Sequence, residues 1–183
     1  MMFEQFKRRA ETAHAEVHRF PSKTEAVDFL ADLLRHEAPA DGTSPAALIA
    51  PCPLLTPADR ERLAALPGVS LDVTRERAAA ATFGVSQMDW ALADTGTLVQ
   101  DATDIALRLV STLPAVHVAL VTTAALVPDL PTLLPRLSPA KSRHLAFITG
   151  PSRTADIERV LTIGVHGPKR LITLFIDADG ITA

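Results

Sequence analysis

Apolar residues recur over the first twenty positions at alternating spacings of three and four: Phe3, Phe6, Ala10, Ala13, Val17 and Phe20. The spacing predicts a helix over residues 2–19 with a narrow apolar seam and otherwise charged faces. Such a seam suits either a helix packed by one edge on its own domain or an arm docked on a partner subunit. Pro21 breaks the pattern. Ser22 and Glu25 then form a Ser-x-x-Glu capping box. Ala26, Phe29, Leu30, Leu33 and Leu34 follow at i, i+3, i+4, i+7 and i+8, which predicts a second amphipathic helix. Pro39, Asp41-Gly42 and Pro45 mark residues 37–45 as a loop.

Beyond this loop the period changes to short apolar runs. Residues 46–50, 69–74, 116–122, 145–149 and 170–176 each read as a strand. Between them, Thr56-Pro57-Ala58-Asp59 starts a helix with Thr as cap and Pro in the first turn. Arg75 to Ala81 suits a short helix. Residues 88–100 predict two strands joined at Asp94-Thr95-Gly96. Helices are expected over Leu126–Leu137, despite its prolines, and over Thr154–Thr162. Short apolar strands alternating with helices predict an α/β fold with a mostly parallel sheet covered on both faces. The expected organisation is an N-terminal helical segment, 1–40, and an α/β domain, 41–183, forming one structural unit.

Composition narrows the function classes. The 183 residues carry a net charge of −3, and the one basic run, Lys7-Arg8-Arg9, sits among acids on a predicted helix. That balance argues against a nucleic-acid partner. Cys52 is the only cysteine, so this chain alone cannot hold an iron–sulfur cluster or a cysteine-based zinc site. The N-terminus lacks the apolar run of a signal peptide, and no stretch approaches the ~20 apolar residues of a membrane span. The cytoplasm is the expected compartment.

Three loops offer chemistry. Asp94-Thr95-Gly96-Thr97 presents hydroxyls and backbone amides at a turn where Gly96 permits positive φ; it suits an anion site or a plain hairpin. Thr149 to Asp156 leaves a strand and enters the expected helix over Thr154–Thr162. Its amides, with Ser152, Arg153 and Thr154, suit a phosphate or carboxylate, although capping alone explains the pattern equally well. In Gly164-Val165-His166-Gly167-Pro168, two glycines bracket a histidine able to titrate near neutrality, or one that is purely structural. There is no Walker A sequence, no Gly-x-Gly-x-x-Gly and no Gly-x-Ser-x-Gly. His14 and His18 lie four apart on the expected first helix, where a solvated face explains them. Cys52 lies between two prolines without an activating neighbour in sequence.

Asp94-Thr95-Gly96-Thr97-Leu98, Arg108 with Leu113-Pro114 and His117, Gly150-Pro151-Ser152-Arg153-Thr154-Ala155-Asp156-Ile157-Glu158 and Gly164-Val165-His166-Gly167-Pro168 together resemble the LUD-domain family, over about residues 45–176. Position 94 departs from that family's frequent Glu but keeps a carboxylate. The resemblance implies a three-layer α/β/α sandwich of the NagB/RpiA/CoA-transferase type, preceded by N-terminal helices. It implies a role in oxidising L-lactate to pyruvate, as the cluster-free accessory subunit beside partner proteins that carry iron–sulfur clusters. No cofactor is expected on this chain alone. With motif chemistry, it makes Asp94, Thr95, Gly96, Thr97, Ser152, Arg153, Thr154 and His166 the candidate ligand-binding residues, for a small carboxylate or phosphate. His166 is the candidate for proton transfer. The competing reading is a stand-alone enzyme or sensor that binds a small anion such as a sugar phosphate or an acyl-CoA.

Overall fold

The computed structural model describes residues 1–37, 46–137, 144–155, 161–163 and 166–177. The chain opens with helix α1 (Met2–Thr12), strand β1 (Glu16–Phe20) and helix α2 (Lys23–Glu37). It continues through β2 (Ala47–Ile49), α3 (Pro57–Ala64), β3 (Val69–Ser70), α4 (Arg75–Ala80), β4 (Phe83–Gln87), β5 (Trp90–Leu92) and β6 (Thr97–Asp101). Next come α5 (Ile105–Thr112), β7 (Val116–Thr122), β8 (Leu126–Val127), α6 (Leu130–Leu133) and β9 (Leu145–Ile148). The last elements are β10 (Arg153–Ala155), β11 (Leu161–Ile163) and β12 (Arg170–Ile176).

Six strands form one parallel sheet in the order β1-β12-β7-β4-β2-β3. The central strands read VHVALVT and RLITLFI. Their β-branched residues suit a strand buried on both faces. Val116, Val118 and Leu120 of β7, with Ile172, Leu174 and Ile176 of β12, face α2 through Ala26, Val27, Leu30 and Leu34. The alternate residues Ala119, Val121, Leu171 and Phe175 face the other way. There they meet α1 and a second, four-stranded sheet in the order β8-β5-β6-β9. Helices α4 and α5 cover the same face over β2, through Ala78 and Val110 against Leu48. The α/β class, the mostly parallel sheet and the N-terminal helices agree with the sequence reading.

Three predicted helices are corrected. The first ends at Thr12, and Glu16–Phe20 is the edge strand paired with β12. The physical reason is a closed helix end: the Ala15 N–H donates to the Ala10 carbonyl, the His14 N–H donates to that of Glu11, and His14 takes a left-handed φ of 68°. This is a Schellman termination, and Ala10 and Ala15 make its apolar contact. Val17 continues the seam by coincidence, because an inward strand position is apolar too. The second expected helix, over Leu126–Leu137, is the strand β8, the single turn α6 capped by Asp129, and a 3-10 turn over Leu134–Arg136; its prolines limit the helical run. The third, over Thr154–Thr162, is an antiparallel pair, Arg153–Ala155 against Leu161–Ile163. The caps at Ser22 and Thr56 form as expected, with Ser22 Oγ accepting from the Glu25 N–H at 3.2 Å and Thr56 accepting from that of Asp59.

Cys52 is buried, and its thiol bonds to Gln87 Oε1 at 3.7 Å. Burial pushes the thiol pKa up to about 11. Since the thiolate is the reactive form, Cys52 is expected to resist thiol reagents in the native chain at neutral pH and to react only on unfolding. Labelling with and without denaturant checks this; rapid native labelling would contradict the buried placement.

Candidate functional site

Two motif loops meet at the closed end of α1. The turn between β5 and β6 holds Gly96 at φ +68°, and the loop after β9 holds Gly150 at φ +70°. A Cβ on Gly96 would lie 2.3 Å from the Ala10 nitrogen, and one on Gly150 would lie 2.1 Å from the Ala13 oxygen. Only glycine tolerates both the conformation and the approach. Thr97 Oγ1 bonds to Thr149 Oγ1 at 2.7 Å, and Arg153 Nη2 donates to the Ala13 carbonyl at 2.6 Å. The Asp94 N–H donates to the Pro128 carbonyl, while its buried Oδ1 has no partner. Thr95 is exposed. These contacts lock two loops onto α1. Arg108 has a similar framework role, donating to the Ala102 and Thr103 carbonyls at 2.7 and 3.3 Å.

Beside them lies a cavity of about 370 Å³, within the range of small-molecule sites. The loops 149–153 and 166–168 form its walls, with Ser152, Arg153 and His166 among the lining residues and His117 and Leu171 beneath them. The Ser152 N–H donates to the Pro168 carbonyl at 2.9 Å, and Gly167 packs against the Ser152 side chain. Phe147, Ile148 and Pro151 supply apolar wall. Of the sequence-derived candidates, Ser152, Arg153 and His166 therefore share one cavity. Asp94, Thr95, Gly96 and Thr97 do not line it; Thr97 reaches it only through Thr149. Thr154 lies on β10, opposite Thr162. Asp156, Ile157, Glu158, Gly164 and Val165 fall outside the described residues.

Two expectations about the chemistry change. No helix begins at Thr154; the helix end that reaches the cavity is the carboxyl end of α5, through Ser111 and Thr112. The cavity also adjoins the amino ends of β7 and β12, because His117 and Leu171 are the second residues of those parallel strands. Ligands of open α/β sheets usually sit at the carboxyl ends. Here Cys52 and Leu54 pack against the carboxyl end of β4, and the Leu54 N–H donates to Gln87 Oε1 at 2.8 Å.

The residue that sequence reasoning left out of the site is His117. It is 1% exposed, and its Nε2 lies 2.9 Å from Ser86 Oγ. Gln100 Nε2 donates to the same hydroxyl at 3.2 Å and to the Gln87 carbonyl at 2.6 Å. His117 Nδ1 is buried without a partner. Burial pushes the ring pKa down to about 4, so the imidazole is neutral at physiological pH. A signal existed in the sequence: His117 interrupts the apolar run of β7, and Ser86 and Gln100 are buried polar residues of β4 and β6.

Arg153 retains guanidinium N–H groups beyond the one given to Ala13, and among the described residues no carboxylate forms an ion pair with it. The rim thus offers a cation, hydroxyls and an exposed imidazole, and the interior offers apolar surface with one neutral ring. That combination suits a small anion with a short apolar part. Among the described residues, no three His, Cys, Asp or Glu side chains cluster as a metal ion would need, and no helix is long and apolar enough to cross a membrane.

The chain is similar to several known proteins. It is 37% identical over 106 residues to lactate utilization protein C from an Exiguobacterium species, covering 55% of this chain and 46% of that one. It is 38% identical over 107 residues to lactate utilization protein C 1 from Bacillus mycoides, covering 55% and 45%. The chain's matched part thus spans about half the length of these curated relatives. A DUF162 family protein from Deinococcus radiodurans shares the fold, with a TM-score of 0.68 over 96% of both chains at 20% identity. The LUD domain model matches residues 3–176, and this chain therefore belongs to the LUD-domain family.

Proposed function

We propose that this chain is a cluster-free component of an iron–sulfur system that oxidises L-lactate to pyruvate, and that its cavity holds a small carboxylate. The observation that carries the ligand reading is the convergence of Ser152, Arg153 and His166 on one partly apolar cavity. The Arg153 guanidinium meets the carboxylate, and the Ser152 hydroxyl adds a hydrogen bond. Apolar contact with Pro151 and Leu171 suits a methyl group. The lactate assignment draws on the family and on the names of the similar proteins. The architecture is in keeping with the NagB/RpiA/CoA-transferase type. The partners would be iron–sulfur proteins, since one cysteine cannot bind a cluster.

Calorimetric titration with L-lactate, pyruvate and a sugar phosphate tests the ligand class. Lactate or pyruvate is expected to bind, and Arg153→Ala to weaken binding by about tenfold or more, as a charge-assisted hydrogen bond is lost. Arg153→Lys, which keeps a charge able to reach Ala13, separates charge recognition from loop anchoring. Binding of the sugar phosphate alone would overturn the carboxylate reading. Unimpaired growth on L-lactate after deletion of the gene, in a host without a second copy, would overturn the pathway assignment.

A further inference from the structure

We propose that His117 takes an uncharged acceptor oxygen of the bound carboxylate, its keto or hydroxyl oxygen, through an Nδ1–H donor, and that Ser86 and Gln100 are positioning residues that fix this tautomer. The proposal rests on the carboxylate reading of the cavity.

Gln100 fixes the direction of the hydrogen bonds. Its side-chain atom 2.6 Å from the Gln87 carbonyl must be the amide nitrogen, because a carbonyl only accepts. The second proton of that nitrogen goes to Ser86 Oγ at 3.2 Å. Ser86 therefore accepts from Gln100, and its own proton needs an acceptor. His117 Nε2, at 2.9 Å, supplies it. An accepting Nε2 in a neutral ring places the ring proton on Nδ1. That atom is buried and has no partner, yet His117 belongs to the cavity lining. A buried donor without an acceptor is costly, and a ligand oxygen removes the cost. The chain Gln100–Ser86–His117 crosses from the second sheet to the central one, so the donor stands on two rigid elements.

The chemistry selects the ligand atom. Burial keeps the ring neutral, so a carbonyl or hydroxyl oxygen suits it, and the carboxylate charge goes to Arg153 at the rim. His117 thus orients the ligand and transfers no proton near neutrality. His166 is exposed and also lines the cavity.

The test uses the full chain labelled with 15N, with pyruvate as the probe. Long-range 1H–15N correlation of His117 is expected to show the Nδ1-protonated tautomer in the free chain, with its Nδ1 signal shifting as pyruvate is added. Ser86→Ala is expected to mix the two tautomers. His117→Asn places an amide nitrogen near the Nδ1 position and is expected to keep affinity within about threefold; His117→Gln places it at the Nε2 end and is expected to lose about tenfold. Thermal melts of each variant establish that it is folded. An Nε2-protonated ring in the free chain overturns the proposal. So does an unmoved His117 signal when the Ser152 and Arg153 amides shift, an outcome that leaves the carboxylate reading standing. If pyruvate moves neither group, the carboxylate reading itself falls, and the role of His117 falls with it.

Discussion

Replacing Phe6 with alanine is expected to destabilise the chain by about 3–5 kcal/mol and to lower Tm by roughly 6–20 °C. Phe6 is fully buried on α1. Its ring meets Phe175 of β12 edge to face, with centroids 5.0 Å apart and planes at 71°, and Phe3 meets the same ring at 5.3 Å. The substitution removes the transfer energy of a whole aromatic side chain and leaves a cavity between two rigid layers. It also removes a favourable ring pair, worth about 0.5–1.5 kcal/mol beyond area burial. Met2, on the same helix but exposed, serves as the control: Met2→Ala is expected to change stability by no more than about 0.5 kcal/mol. Thermal melting with sedimentation checks both variants. An arm reserved for a partner subunit would give the opposite pattern, with little change in Tm for Phe6→Ala and a change in association instead.

Acidification is expected to remove about 3 kcal/mol of stability through one residue. Burial holds His117 near a pKa of about 4, against an ordinary value of 6.5. Between these values the unfolded chain binds a proton that the folded chain refuses, so stability rises with pH across the interval. The contribution is complete above about pH 6.5, is lost progressively as pH falls, and is gone below about 4. At about 1.4 kcal/mol per pH unit, the interval corresponds to about 3 kcal/mol. His117→Asn cannot be protonated in this range. The difference between its urea midpoints and those of the parent chain, measured from pH 7 to pH 4, isolates the effect from the carboxylates. Parallel pH dependences in the two proteins would mean that His117 is solvated and titrates normally.

Phe6 and His117 differ in how far local sequence reveals them. The seam containing Phe6 was visible as a period, but the period could not say which surface it met. It also overran the helix end, because Val17 is apolar for a different reason on β1. Only the left-handed turn at His14, a conformation uncommon outside glycine, separates the two elements. Likewise, Gly96 and Gly150 were legible as loop signals, yet the positive φ and the contact with α1 depend on atoms more than eighty residues away in the chain.

The cavity shows the same division. Ser152, Arg153 and His166 were identified from their glycine-rich surroundings, and the two loops are joined by the hydrogen bond from Ser152 to Pro168. The Asp94–Thr97 turn was equally conspicuous, but it packs on α1 rather than lining the cavity. His117 stood out as a polar residue in an apolar strand and as part of the family resemblance, with nothing in either to place it at a cavity. Its environment comes from Ser86 on β4 and Gln100 on β6, and the latter belongs to a different sheet.

Local spacing along the chain was enough to specify the α/β class, the capped helices, the buried central strands and the loops richest in candidate chemistry. Each follows from local spacing, because backbone geometry repeats every two or 3.6 residues. Contacts between distant segments set where helices stop, that Arg153–Ala155 pairs with Leu161–Ile163, that the cavity adjoins the amino ends of the parallel strands, and that His117 lies beneath it. These depend on pairing and burial between distant segments, and local spacing carries no record of which segments meet.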